Sequence, residues 1–139
     1  MAIDYGRKRV GLAVTDPLRL VPGALATVSS ASLMDYLARY FAAEPVERVV
    51  LGHPRQLNGR PSESMKYIAP FIGRFRKTWP DLPLELYDER FTSVLAHRAM
   101  LEAGLGRMER REKERVDALS AVILLQDYMA SVKFNKPTV

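Results

Sequence analysis

The sequence predicts an α/β fold, a mixed sheet with helices on both faces. Three observations carry this. Extended apolar stretches open the chain, at Ala2 to Asp4, Val10 to Val14 and Val21 to Val28. Amphipathic helical patterns then alternate with two further apolar runs, at Val46 to Gly52 and Pro83 to Tyr87. The Val49-Val50-Leu51 run is continuous, as in strands covered on both faces. A meander followed by such alternation builds a sheet between helical layers.

The elements can be justified in order. The first two stretches flank the basic turn Gly6-Arg7-Lys8-Arg9, and Asp16-Pro17 initiates another turn. Leu33, Tyr36, Leu37, Tyr40 and Phe41 recur at helical spacing, with Ser32 and Asp35 placed as a capping box and Pro45 as the stop. His53 to Pro61 reads as a loop after the fourth strand, at the edge where open α/β sheets bind ligands. A second helix runs from Glu63, capped by Ser62, to about Thr78, and Pro70 inside it should kink or break it. Thr92 is a suitable N-cap for a third helix over Val94 to Ala103, stopped at Gly104. Gly106 to Arg115 is the most charged stretch and reads as a mobile loop or a frayed helix. A last helix covers Val116 to about Ala130.

Composition narrows the function. The 139 residues suit one domain, 1–132, followed by a short C-terminal tail, 133–139, expected to be disordered. There is no cysteine, which excludes disulfides, thiolate metal sites and cysteine nucleophiles. Asp4 and Arg7-Lys8-Arg9 interrupt the start, so no signal peptide is expected; nor is a membrane span, and the expected location is cytoplasmic. The net charge of +5 favours a polyanionic partner, of which nucleic acid is the commonest.

Acidic residues fall where this architecture can gather them. Asp4 ends the first strand, and an Asp there is costly unless paired or holding a cation. Asp88 and Glu89 end the fifth strand. Asp117 heads a helical stripe of Ala121, Leu124, Leu125 and Tyr128, which should pack on the sheet. Carboxylates converging without cysteine or a histidine cluster suit Mg²⁺ or Mn²⁺. Two such ions about 4 Å apart can activate water and stabilise the leaving oxygen of a phosphodiester. Each residue also has a plainer reading. Asp4 with Gly6 fits an ordinary Asp-x-Gly turn. Asp117 can simply favour a helix N-terminus, and Asp88 can pair with Arg90. His53 reads better as a loop residue than as a general base, and His97 as structural. The Arg107 to Arg115 run can be a solvated mixed charge face, or can grip phosphates.

Four ordered blocks carry a resemblance: Ala2 to Gly11 with Thr15-Asp16-Pro17; Val49 to Pro54 with Asn58-Gly59; Asp88 to Ser93; and Val116 to Ala121. The sequence resembles the YqgF/RuvX family of RNase H-like, Holliday-junction-resolvase-related proteins, also described as pre-16S rRNA nucleases. The resemblance implies a five-stranded mixed sheet ordered 3-2-1-4-5. It implies divalent-metal nuclease chemistry, with Asp4, Glu89 and Asp117 matching the family's acidic positions, and maturation of the 16S rRNA 5′ end in the cytoplasm. Departures are His53 in place of Leu, Asn58 in place of an acid, and Leu95 in place of Glu; none touches the three candidate ligands.

The expected activity is therefore metal-dependent phosphodiester hydrolysis on structured RNA, pre-16S rRNA, using two Mg²⁺ or Mn²⁺ ions. Asp4 would bridge them, and Glu89 and Asp117 would complete their shells. Arg7, Lys8, Arg9, Arg90, Arg107, Arg110 and Arg111 would bind substrate. The rivals are a DNA junction resolvase acting on branched DNA and a non-catalytic nucleic-acid module; monomer and homodimer are both compatible with the sequence. An actin-like ATPase also begins Asp-x-Gly, but 139 residues leave no room for its second domain.

Overall fold

β1 (Ala2–Tyr5) is short and almost wholly buried, and every other element is arranged about it. The computed structural model describes residues 1–16, 21–53, 65–88 and 110–135. β1 pairs antiparallel with β2 (Arg9–Thr15), which pairs antiparallel with β3 (Pro22–Ser29). On its other side β1 runs parallel to β4 (Val49–His53), and β4 parallel to β5 (Leu84–Asp88). The sheet order is β3-β2-β1-β4-β5, the RNase H-like order expected from the resemblance.

Side chains alternate across a strand, so each face has its own residues. Ile3, Val10, Leu12, Val49 and Leu51 point to one face. There they meet Leu33 and Leu37 of α1 (Leu33–Ala43) and Ile68, Phe71, Ile72 and Phe75 of α2 (Met65–Thr78). Trp79 closes this layer with edge-on contacts to Phe41 at a centroid distance of 5.0 Å. Ala2 and Ala13 point to the other face and meet Ala121, Leu124 and Leu125 of α3 (Arg110–Asn135). Alanine on both sides lets α3 approach the sheet closely across β1, β2 and β3.

Several local expectations change. α3 begins by Arg110 and runs to Asn135, so it takes in part of the charged stretch and the first residues assigned to the tail. The charged turn is held to the sheet by the Thr27 hydroxyl, which donates to the Glu114 carbonyl at 2.6 Å. α2 is one helix with Pro70 inside it. Pro70 is exposed, so its ring faces solvent and the missing N–H is not buried. Ser32 does not cap α1 through its side chain; a 3₁₀ turn, Ser30–Ser32, leads into the helix, and the Ser32 hydroxyl lies 2.6 Å from that of Ser29. His53 is the last residue of β4, opposite Asp88, rather than a loop residue. The expected helix over 94–103 and the greater part of the loop through Pro61 lie outside the described residues.

Candidate active site

The site begins with a pairing in the sheet. Asp4 stands opposite Gly11 across the β1–β2 ladder. By alternation Asp4 shares the face of Ala2, under α3, and it is only 7% exposed. Asp117 is buried to the same degree. A Cβ built on Gly11 would lie 1.9 Å from the Asp117 carbonyl oxygen. The helix backbone therefore rests directly on position 11, where only glycine leaves space. Asp4 lies beside this glycine and Asp117 over it, although the two are far apart in sequence.

Asp117 also has a cationic neighbour. Arg9 lies two residues before Gly11 on β2, hence on the same strand face, and its Nε donates to Asp117 Oδ2 at 2.6 Å. The Asp117 side chain is 9% exposed and that of Arg9 is 35% exposed, so the pair runs from the site toward solvent. Ser120, one turn further along α3, is fully buried; its hydroxyl donates to the Val116 carbonyl at 2.8 Å.

The basic turn is built rather than loose. Gly6 N–H donates to the Arg9 carbonyl at 3.0 Å, and a Cβ at position 6 would come within 2.4 Å of that oxygen. Ser30 clamps the turn from the end of β3: its N–H donates to the Lys8 carbonyl at 3.0 Å and its hydroxyl to the Arg7 carbonyl at 2.9 Å. Backbone carbonyls of the turn are thus engaged, while the side chains of Arg7 and Lys8 are exposed.

Set against the sequence reading, the structure brings Asp4, Asp117 and Arg9 together. It sets aside the dipole reading of Asp117, which lies about two turns inside α3, beyond the first turn where that effect acts. Asp88 ends β5 on the face of Leu84, by alternation opposite to Asp4. Arg9 turns inward to Asp117 instead of standing free for substrate. Arg110 and Arg111 open α3, with Arg111 exposed. Glu89, Arg90 and Arg107 lie outside the described residues. The contribution of Ser30 escaped the sequence reading, because a serine that bonds backbone across a turn leaves no periodic signal.

The donor chemistry at Gly11 fits a hard divalent cation. Both described acids offer buried oxygens, and the chain has no thiolate to divert the site to a softer metal. Among the described residues no three metal-ligating side chains form a group. Of the three acids that the resemblance implies as ligands, Asp4 and Asp117 are described and Glu89 is not.

The sequence is matched by known proteins. A family model described as RuvX, Holliday junction resolvase, matches residues 1–131. A Porphyromonas gingivalis protein named "Putative pre-16S rRNA nuclease" is 56% identical over 129 residues, covering 93% of this chain and 94% of the relative. Proteins of the same name from Phocaeicola vulgatus and Flavobacterium johnsoniae are 51% and 45% identical over 134 residues, each covering 96% of this chain, and 96% and 97% of the relatives. With likeness of this extent over the blocks that carry Asp4 and Asp117, the chain belongs to the RuvX family.

Proposed function

We propose that this protein is a divalent-metal-dependent nuclease that hydrolyses phosphodiester bonds in the cytoplasm, trimming the 5′ end of pre-16S rRNA. The observation that supports this best is the gathering of two buried carboxylates, Asp4 and Asp117, around Gly11. Two acids this close to one glycine, of which Asp117 is already paired with Arg9, concentrate negative charge that suits a cation. Asp4, Asp117 and Glu89 would hold Mg²⁺ or Mn²⁺. When bound, the metal would supply an activated water and charge stabilisation at the leaving oxygen. The chain's own contribution is rigidity: β1 and α3 fix the two acids from below and above, so little reorganisation is needed when substrate binds. The exposed Arg7 and Lys8, on a turn clamped by Ser30, would take the phosphate backbone.

The description of the family as Holliday junction resolvase favours a second reading, cleavage of four-way DNA by the same site. One experiment separates them. A 16S precursor RNA and a four-way DNA junction are each incubated with Mn²⁺ or with EDTA, using wild type and Asp4→Asn. Metal-dependent cutting of the RNA, lost in Asp4→Asn, is the expected result. Cutting of the junction alone would transfer the assignment to DNA. Binding of either without cutting would make the protein a nucleic-acid module.

A further inference from the structure

The contact that the nuclease reading does not use is the one between Arg9 and Asp117. A guanidinium occupies the carboxylate that the metal is expected to take. Its Nε lies 2.6 Å from Asp117 Oδ2, close for a charge-assisted hydrogen bond. Arg9 is also the residue of the basic turn nearest the site. It follows directly on Arg7 and Lys8, whose side chains are exposed, and is itself about one-third exposed. Its long side chain can therefore reach either inward to Asp117 or outward to the surface that Arg7 and Lys8 form.

Two positive charges compete for one place. A guanidinium and a divalent ion at the same carboxylate repel each other, and the repulsion is stronger where water is scarce. Asp117 is buried, so without a cation it needs Arg9 as its counter-charge. With a divalent ion at Asp4 and Asp117 that need ends. We propose that Arg9 is an exchangeable counter-ion: it neutralises Asp117 while the site lacks a metal and turns out to the phosphate backbone when the metal arrives. This rests on the nuclease reading for its metal and its polyanion, and on the Arg9–Asp117 ion pair for its mechanism. It assigns Arg9 a positioning role, coupling metal entry to substrate binding by linkage: whichever ligand draws Arg9 away or makes it unnecessary favours the other.

The test is Mn²⁺ affinity of the RNA-free protein, measured by calorimetry and by the loss of the free Mn²⁺ resonance signal. Arg9→Gln removes the competing charge and keeps a hydrogen-bonding side chain; Arg9→Lys keeps the charge. The expected result is Mn²⁺ binding about fivefold tighter in Arg9→Gln, the scale of one partly exposed ion pair, and close to wild type in Arg9→Lys. A purely structural role for Arg9 would give weaker or unchanged binding in Arg9→Gln, and either result overturns the proposal. So does the absence of Mn²⁺ binding in wild type and Arg9→Gln alike. Thermal unfolding of each variant guards against misfolding; should Arg9→Gln fail to fold, Arg9→Met removes the same charge and takes its place, and Mn²⁺ binding tighter than wild type supports competition whereas weaker or unchanged binding refutes it. Tighter Mn²⁺ binding in Arg9→Gln together with no cleavage of any nucleic acid would refute the nuclease reading and leave the counter-ion role standing.

Discussion

Gly11 carries the backbone of Asp117 on its Cα: a Cβ at position 11 would stand 1.9 Å from the Asp117 carbonyl oxygen and 2.4 Å from its carbon. Both are backbone atoms of a long helix and cannot swing aside. Gly11→Ala should therefore lift α3 off β2, with a stability loss of about 3 kcal/mol, at the upper end for overpacking. Urea unfolding followed by circular dichroism reads this loss. An unchanged midpoint would mean that α3 does not sit on β2 in solution.

Asp4 should show opposite effects on stability and activity. Replacing it by Asn removes a buried negative charge beside the glycine that Asp117 covers and keeps the shape. Asp4→Asn should leave metal-free stability within about 1 kcal/mol of wild type, or raise it, as at sites kept for function. Cleavage should fall by more than about 100-fold, since even residues behind metal ligands cost 10–100-fold. Thermal melts in EDTA beside single-turnover cleavage in Mn²⁺ make the comparison. Full activity in Asp4→Asn would remove Asp4 from the site.

The clamp on the basic turn should be visible in salt dependence. Removing both Arg7 and Lys8 as alanines should reduce the slope of log affinity for RNA against log salt by about two, one for each phosphate contact. Ser30→Ala frees the Arg7 carbonyl from its 2.9 Å bond. It should weaken RNA binding without changing that slope, because the charges remain and only their placement is lost. Fluorescence anisotropy across a potassium chloride series distinguishes the two; an unchanged slope in the double alanine variant would take the turn out of the interface.

A control lies at the other end of α3. The Tyr128 hydroxyl accepts from Arg48 Nη1 at 2.8 Å and donates to the Glu85 carboxylate, tying the helix to β5 and to the residue just before β4. It lies about 16 Å along the helix from Asp117 at 1.5 Å per residue. Tyr128→Phe should cost about 1 kcal/mol and leave cleavage unchanged. Burial, and then the hydrogen bond to Glu85, push the Tyr128 phenol above its ordinary value of 10.0. A raised acid favours the neutral form in the folded state. Its contribution is full below pH 10.0 and lost as the pH rises through the folded value. The stability gap between wild type and Tyr128→Phe should therefore shrink only in strongly alkaline buffer, and a gap that grew there would reverse the sign.

Periods of two and of 3.6 in the order of side chains were enough to place the strands, to within a few residues, and their apolar faces. The sequence by itself singled out Asp4 through the cost of an acid on a buried strand, and Asp117 through the apolar stripe behind it. Even the sheet order was legible once ordered blocks rather than single motifs were compared. Tertiary structure decided what no period records. Arg9 reads as one more outward cation of a basic turn; only the contact of α3 with Gly11 puts Asp117 within its reach and turns it inward. Asp88 and Asp4 both lie toward the C-terminal ends of strands, but the β4–β5 register sends Asp88 to the opposite face. The run after Gly106 lacks an apolar stripe of its own, and residues from Arg110 are helical because they continue a helix already anchored on the sheet, with Thr27 bonding the Glu114 carbonyl. In each case the deciding interaction joins residues far apart in the chain, so its energy is set by packing across layers and not by neighbours in sequence.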